Sequence, residues 1–257
     1  MPEQHPTDPA LRPFVVPCAR LGMGAPWRWL RAGWADLRRA PGLSLLFGGA
    51  IVLVSACISW LAYALGRFAL LATLLSGFVF VAPLICVGLY CVSRGLEQGR
   101  QPRLRDSFVL ARRVLGQAGV FALGQGVIIL LWSRAGMVVG ALFPFDGATP
   151  GAFWEYLALG SAVGAVFAGL TFAVTAFSLP MIADRDVDMV TAAVSSVHAV
   201  MRNKGVMALW GLLLVGLTAV GFATALLGLG ILMPWLAYSV WHAYRETLDA
   251  SAWPSLE

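Results

Sequence analysis

The sequence predicts an all-α, polytopic membrane helical bundle: six transmembrane helices as three hairpins, each preceded by an amphipathic interfacial helix. Three observations lead there. Of 257 residues, 59% are hydrophobic and 12% charged, about half the charged share of a soluble domain. Mean hydropathy is +0.79; a soluble fold of this length cannot hide so much apolar surface, so the bilayer must act as solvent for part of it. The basic residues, finally, are sorted between alternate loops, as they are in a spanning protein.

Six apolar segments are legible, at 43–65, 68–93, 117–142, 153–181, 205–228 and 229–245. Each reaches or approaches the ~20 residues that cross ~30 Å of hydrocarbon at 1.5 Å per residue. Gly66-Arg67 separates the first two, and Gly228-Leu229-Gly230 the last two, which makes three hairpins. Residues 1–25 are Pro-rich and polar and read as a disordered cytoplasmic tail. The membrane domain then covers 26–247, and 248–257 forms a short cytoplasmic tail. The first apolar run begins near Leu43 and is too long for a signal-peptide core, so it is expected to stay as an anchor.

Orientation follows from charge. Seventeen of the 18 basic residues are arginine, and all but Arg67 and Arg134 fall before span one, after span six, or between spans two and three or four and five. The positive-inside rule then puts both termini in the cytoplasm, in the inner membrane of a bacterium. The net charge of +5 is thereby topological. Membrane lipids are the expected partners, a second membrane protein is a candidate, and nucleic acid is not expected.

A repeat underlies the hairpins. Arg39-Ala-Pro-Gly42 leads to Phe47-Gly48, Arg113-Val-Leu-Gly116 to Phe121-Ala122, and Arg202-Asn-Lys-Gly205 to Trp210-Gly211. Each hairpin carries a proline in its second helix, Pro83, Pro180 and Pro234, where a missing N–H opens a backbone carbonyl. In the first amphipathic segment Trp27, Leu30, Trp34 and Leu37 share a face, with Arg38 and Arg39 largely off it. Trp27, Trp34, Arg38 and Arg39 are the expected interfacial anchors.

Chemistry-bearing motifs are sparse. The chain has no GxSxG, HExxH, Walker A or paired CxxC pattern, so no catalytic residue, metal or cofactor is expected. Its three histidines, His5, His198 and His242, do not pair within a span, which disfavours a haem–copper core. Asp184-Arg-Asp186-Val-Asp188 starts like a calcium loop but has Met189 and Ser195 where glycine and glutamate belong. It reads better as helix capping for the segment that follows. One candidate polar site combines Arg134, Glu155 and Gln125. Arg134 falls roughly 26 Å along span three, near its outer end, and Gln125 about 12 Å along. Glu155 opens span four and is a possible ion-pair partner of Arg134, while Gln125 is expected to bond across helices. Gly136 with Gly140, and Gly160 with Gly164 and Ala168, read as helix-packing stripes.

Three motifs carry a resemblance: Trp29-Leu-Arg-Ala-Gly-Trp-Ala-Asp-Leu-Arg-Arg-Ala-Pro41, Ser178-Leu-Pro-Met-Ile-Ala-Asp-Arg-Asp-Val-Asp188, and Pro234-Trp-Leu-Ala-Tyr-Ser-Val-Trp-His-Ala-Tyr-Arg245. Over about 14–247 the chain resembles the bacterial integral membrane proteins grouped as domain of unknown function 2189. The resemblance implies six spans and no particular activity. A second candidate site lies at the cytoplasmic face: His242, Trp241 and Tyr244 of the closing motif with Asp184 and Asp186. Two functions from different classes fit: a non-enzymatic scaffold, assembly or accessory protein, and a transporter or lipid-handling protein for a lipid or small neutral solute. A membrane enzyme requires His242 to stand within reach of Asp184 or Asp186.

Overall fold

The computed structural model describes residues 13–65, 85–142 and 150–256. In chain order the helices are α1 Ala25–Arg39, α2 Pro41–Leu65, α3 over 85–97, α4 Leu104–Leu142, α5 Pro150–Thr175, α6 Ser178–Asp184, α7 Met189–Arg202, α8 Lys204–Ala223 and α9 Leu229–Thr247. The only extended pairing among the described residues is two isolated antiparallel bridges, Cys18 with Leu248 and Arg185 with Ser255.

Among the described residues four stretches are long and apolar enough to cross a membrane: Pro41–Leu61, Leu104–Leu142, Trp154–Asp184 and Lys204–Ala223. Of the six segments read from sequence, 68–93 lies largely outside the described residues. The last, now α9, is not among the four. Its C-terminal half carries His242, Arg245 and Glu246 and is buried among other helices.

Helix boundaries follow local chemistry. Pro41 opens α2, where its missing N–H costs nothing, and separates it from α1. Asp188 caps α7 by accepting the Thr191 N–H at 2.9 Å. Burial works against ionising that carboxyl, but the Thr191 hydrogen bonds outweigh it and hold Asp188 below the usual range. Asn203 breaks α7 from α8; its side-chain NH2 donates to the Ala19 and Ala199 carbonyls. The chain also breaks at Ala176–Phe177, just before Pro180, whose ring excludes a continuous helix through that turn. The three repeat units thus differ. The first and third are short helix, break, span; the second is one unbroken helix of 39 residues, about 58 Å long.

The core sits at one end. Trp29, Trp210, Trp241, Tyr238, Tyr244, Phe177 and Met181 are fully buried there, with Trp29 edge-on to Trp210 at 5.4 Å. α9 organises this end. α1 crosses it at Gly33, where a Cβ would meet the Ser239 nitrogen at 2.7 Å and the Trp235 carbonyl oxygen at 2.9 Å. α2 meets it at Gly48, where the Gly230 carbonyl occupies the place of a Cβ. Pro234 explains that carbonyl: four residues on, it has no N–H to offer Gly230.

The spans beyond this end cover one another little. The most apolar windows are 17%, 28%, 0% and 22% buried in chain order. The glycine stripes do not close up. Among the described residues nothing lies within 4 Å of a Cβ placed at Gly136, Gly140 or Gly160, and Gly164 has only the Trp132 indole nitrogen at 3.8 Å. Gly136 and Gly160 instead border a cavity of about 210 Å³ between α4 and α5.

The described parts of both presumed tails are docked. Val16 is fully buried and its N–H donates to Ser195 Oγ at 3.0 Å. Ala19 N–H reaches the Thr247 carbonyl, and Asp249 N–H reaches Pro17. At the other terminus Leu248, Ala250 and Trp253 are buried. The described segments around 16–19 and 247–250 therefore meet at the α9 C-terminus, through backbone hydrogen bonds that composition does not reveal.

Candidate functional site

Two carboxylates buried among cations and hydroxyls dominate the packed end. Asp184, at the last residue of α6, is 5% exposed. Its Oδ2 accepts the Tyr244 hydroxyl at 2.9 Å and Arg185 Nε at 3.1 Å, with an Arg245 guanidinium nitrogen at 3.5 Å. Its Oδ1 faces Arg94 Nε at 3.5 Å. Arg245 also donates to Glu97 Oε1 at 3.2 Å, and Trp241 Nε1 donates to Glu97 Oε2 at 3.1 Å. α3, α6 and α9 are clasped by this network. The Asp184 carbonyl accepts Leu256 N–H at 3.0 Å, which adds the C-terminal segment.

The second carboxylate is Asp36 of α1, 4% exposed. Its Oδ2 receives Ser93 Oγ at 2.8 Å and lies 2.8 Å from His242 Nε2. Serine and histidine both contact the carboxylate rather than each other, so the trio lacks the relay order of a nucleophilic triad. It ties α1, α3 and α9 together.

The sequence-derived site residues divide accordingly. Tyr244 and Asp184 meet directly. Trp241 joins the same network through Glu97. His242 takes Asp36 as its partner, and Asp186 is exposed, its backbone N–H donating to the Pro254 carbonyl. Asp188 alone performs the capping expected of this acidic run.

At the far end Arg134 and Glu155 are both exposed, and no ion pair joins them among the described residues. Gln125 is buried, and its Nε2 has no hydrogen-bond partner among the described residues. On α1 the buried face is Trp29, Leu30, Gly33 and Asp36. Trp27 and Trp34, assigned to the apolar face from their spacing, are 57% and 41% exposed, and Trp34 packs edge-on against Trp235 at 5.2 Å. Arg38 and Arg39 are exposed.

Sequence reasoning missed Asp36, Ser93, Arg94 and Glu97. Asp36 carried one signal: it falls three residues after Gly33 and seven after Trp29, on a helix face that small and aromatic residues share.

A family model described as predicted integral membrane protein (DUF2189) matches residues 70–184. Over that region the chain is similar to the family. The match ends at Asp184, so the family region includes Arg94, Glu97 and the buried carboxylate, while their partners on α9 lie outside it. No curated protein and no solved structure matches the chain.

Proposed function

We propose that this DUF2189 chain is a non-enzymatic scaffold, assembly or accessory protein of the inner membrane. The observation that carries the reading is how its polar groups are used. Asp184, Glu97, Asp36, His242 and Tyr244 are each engaged with another element of the packed end, which makes a stiff layer from which sparsely covered spans project. Lipid covers those faces readily; the uncovered glycines at 136, 140 and 160 suit close approach of another helix. Native mass spectrometry of protein released gently from its host membrane is expected to show a stoichiometric membrane-protein partner. A lone chain retaining only lipid would overturn this and favour lipid handling, for which an apolar groove of about 350 Å³ between Phe47, Ile85 and Phe108 speaks.

Six crossings and cytoplasmic termini belong to the same proposal. The chain leaves the packed end along α2 and is back there by α3, where Ser93 meets Asp36. α4 and α5, then α8 and α9, supply the remaining pairs. Trp27, Trp34, Arg38 and Arg39 would rim this end at the headgroup layer. Fluorescent protein fused to the C-terminus should mature and fluoresce. An alkaline phosphatase fusion active at that position would instead place the end outside.

A further inference from the structure

The packed end holds a cavity of about 640 Å³, within the range of ligand pockets. Five arginines line it: Arg94, Arg100, Arg103, Arg105 and Arg113. Among the described residues Asp106 is the one acidic residue in the lining, and its Oδ2 already accepts the Arg103 backbone N–H at 3.1 Å. Arg94, 9% exposed, offers its charge from within the fold. Its Nε is buried and makes no hydrogen bond, only the 3.5 Å ion pair with Asp184. Arg103, Arg105 and Arg113 form no ion pair among the described residues. The first turn of α4 adds the positive end of a long helix dipole, and the docked C-terminal residues Ser255 and Leu256 complete the wall.

Positive-inside sorting explains why arginines lie on this side, but not why five converge on one concavity with a single carboxylate among them. Low-dielectric walls focus such a field, planar guanidinium forks pair bidentately with phosphate as they do with carboxylate oxygens, and a group of five suits the more highly charged phosphate. We infer that this cavity binds a phosphate-bearing anion. Two sources share that chemistry: an anionic phospholipid headgroup, as basic pockets at helix ends take, and a soluble phosphate compound.

The test uses the full chain in two arms. In the first, phosphatidylglycerol is titrated against phosphatidylcholine in detergent and bound lipid is counted by native mass spectrometry. In the second, pyrophosphate is added to the protein in phosphatidylcholine nanodiscs and the thermal midpoint is followed. Arg103→Gln and Arg113→Gln should each weaken the positive arm roughly tenfold, the loss expected for one charged hydrogen bond. Arg112→Gln removes the same charge one residue away but lines the apolar groove instead, and should change it little. Phosphatidylglycerol selectivity would assign the lipid source, and a pyrophosphate shift the soluble one. Equal weakening by Arg112→Gln and Arg113→Gln, or no binding in either arm, would overturn the inference. The ligand-free midpoint of Arg113→Gln should match the parent, which separates lost binding from lost folding.

Discussion

Asp184→Asn is expected to destabilise the protein more than any other single polar substitution, by about 3–5 kcal/mol. The change keeps the shape and removes the charge. Arg94 would then remain buried, with 11% of its side chain exposed, facing no counterion. Removing one partner of a buried pair costs far more than the pair itself contributes, because the remaining charge stays desolvated. Arg185 and Arg245, at 19% and 38% side-chain exposure, are partly screened and add less. The Tyr244 hydroxyl bond is a smaller part; Tyr244→Phe should cost about 1 kcal/mol. Unfolding of each variant in mixed micelles, followed by circular dichroism, gives the comparison. Asp186→Asn is the control, since its side chain is exposed two residues away, and should lie within about 0.5 kcal/mol of the parent. Equal losses at 184 and 186 would mean that the buried network does not hold this end together.

That network also marks the limit of what the sequence discloses. The spans are legible because twenty apolar residues in a row leave few alternatives: windows read at 43–65, 153–181 and 205–228 became α2, α5 with α6, and α8. Pairings across the chain leave no such trace. Arg94 and Asp184 are 90 positions apart, and Asp36 and His242 are 206 apart. In sequence, Arg94 is one more basic loop residue and Asp36 one more polar residue on an amphipathic helix.

The α1 face shows a different reason. Trp27 and Trp34 are spaced for a helical stripe and carry far more apolar surface than Gly33 and Asp36. The packed face is nevertheless the one that glycine opens, because α9 comes close enough there to touch backbone. Size decides the contact, and polarity is then satisfied by Ser93 and His242. The terminal segments were hidden for a related cause. A Pro-rich polar stretch lacks periodicity, and its order comes from backbone hydrogen bonds to Thr247, Ser195 and Asn203.

Gly48→Ala should be among the most damaging changes in the apolar part of the chain, even though it adds one methyl group. The added carbon would fall on the Gly230 carbonyl group. Both sides of that contact are backbone, so no rotamer change relieves it; α2 and α9 must separate. Overpacking of this kind costs about 1–3 kcal/mol where side chains can give way, and the upper end applies where only helix displacement can. Gly49→Ala is the matched experiment. Nothing among the described residues lies within 4 Å of its Cβ, and alanine is the better helix former by about 1 kcal/mol. Neighbouring glycines should therefore respond with opposite signs, Gly48→Ala lowering the unfolding midpoint and Gly49→Ala leaving it level or raising it. Equal responses would show that α2 does not approach α9 backbone-to-backbone. The role assigned to Pro234, freeing the Gly230 carbonyl to face Gly48, would fall with that contact.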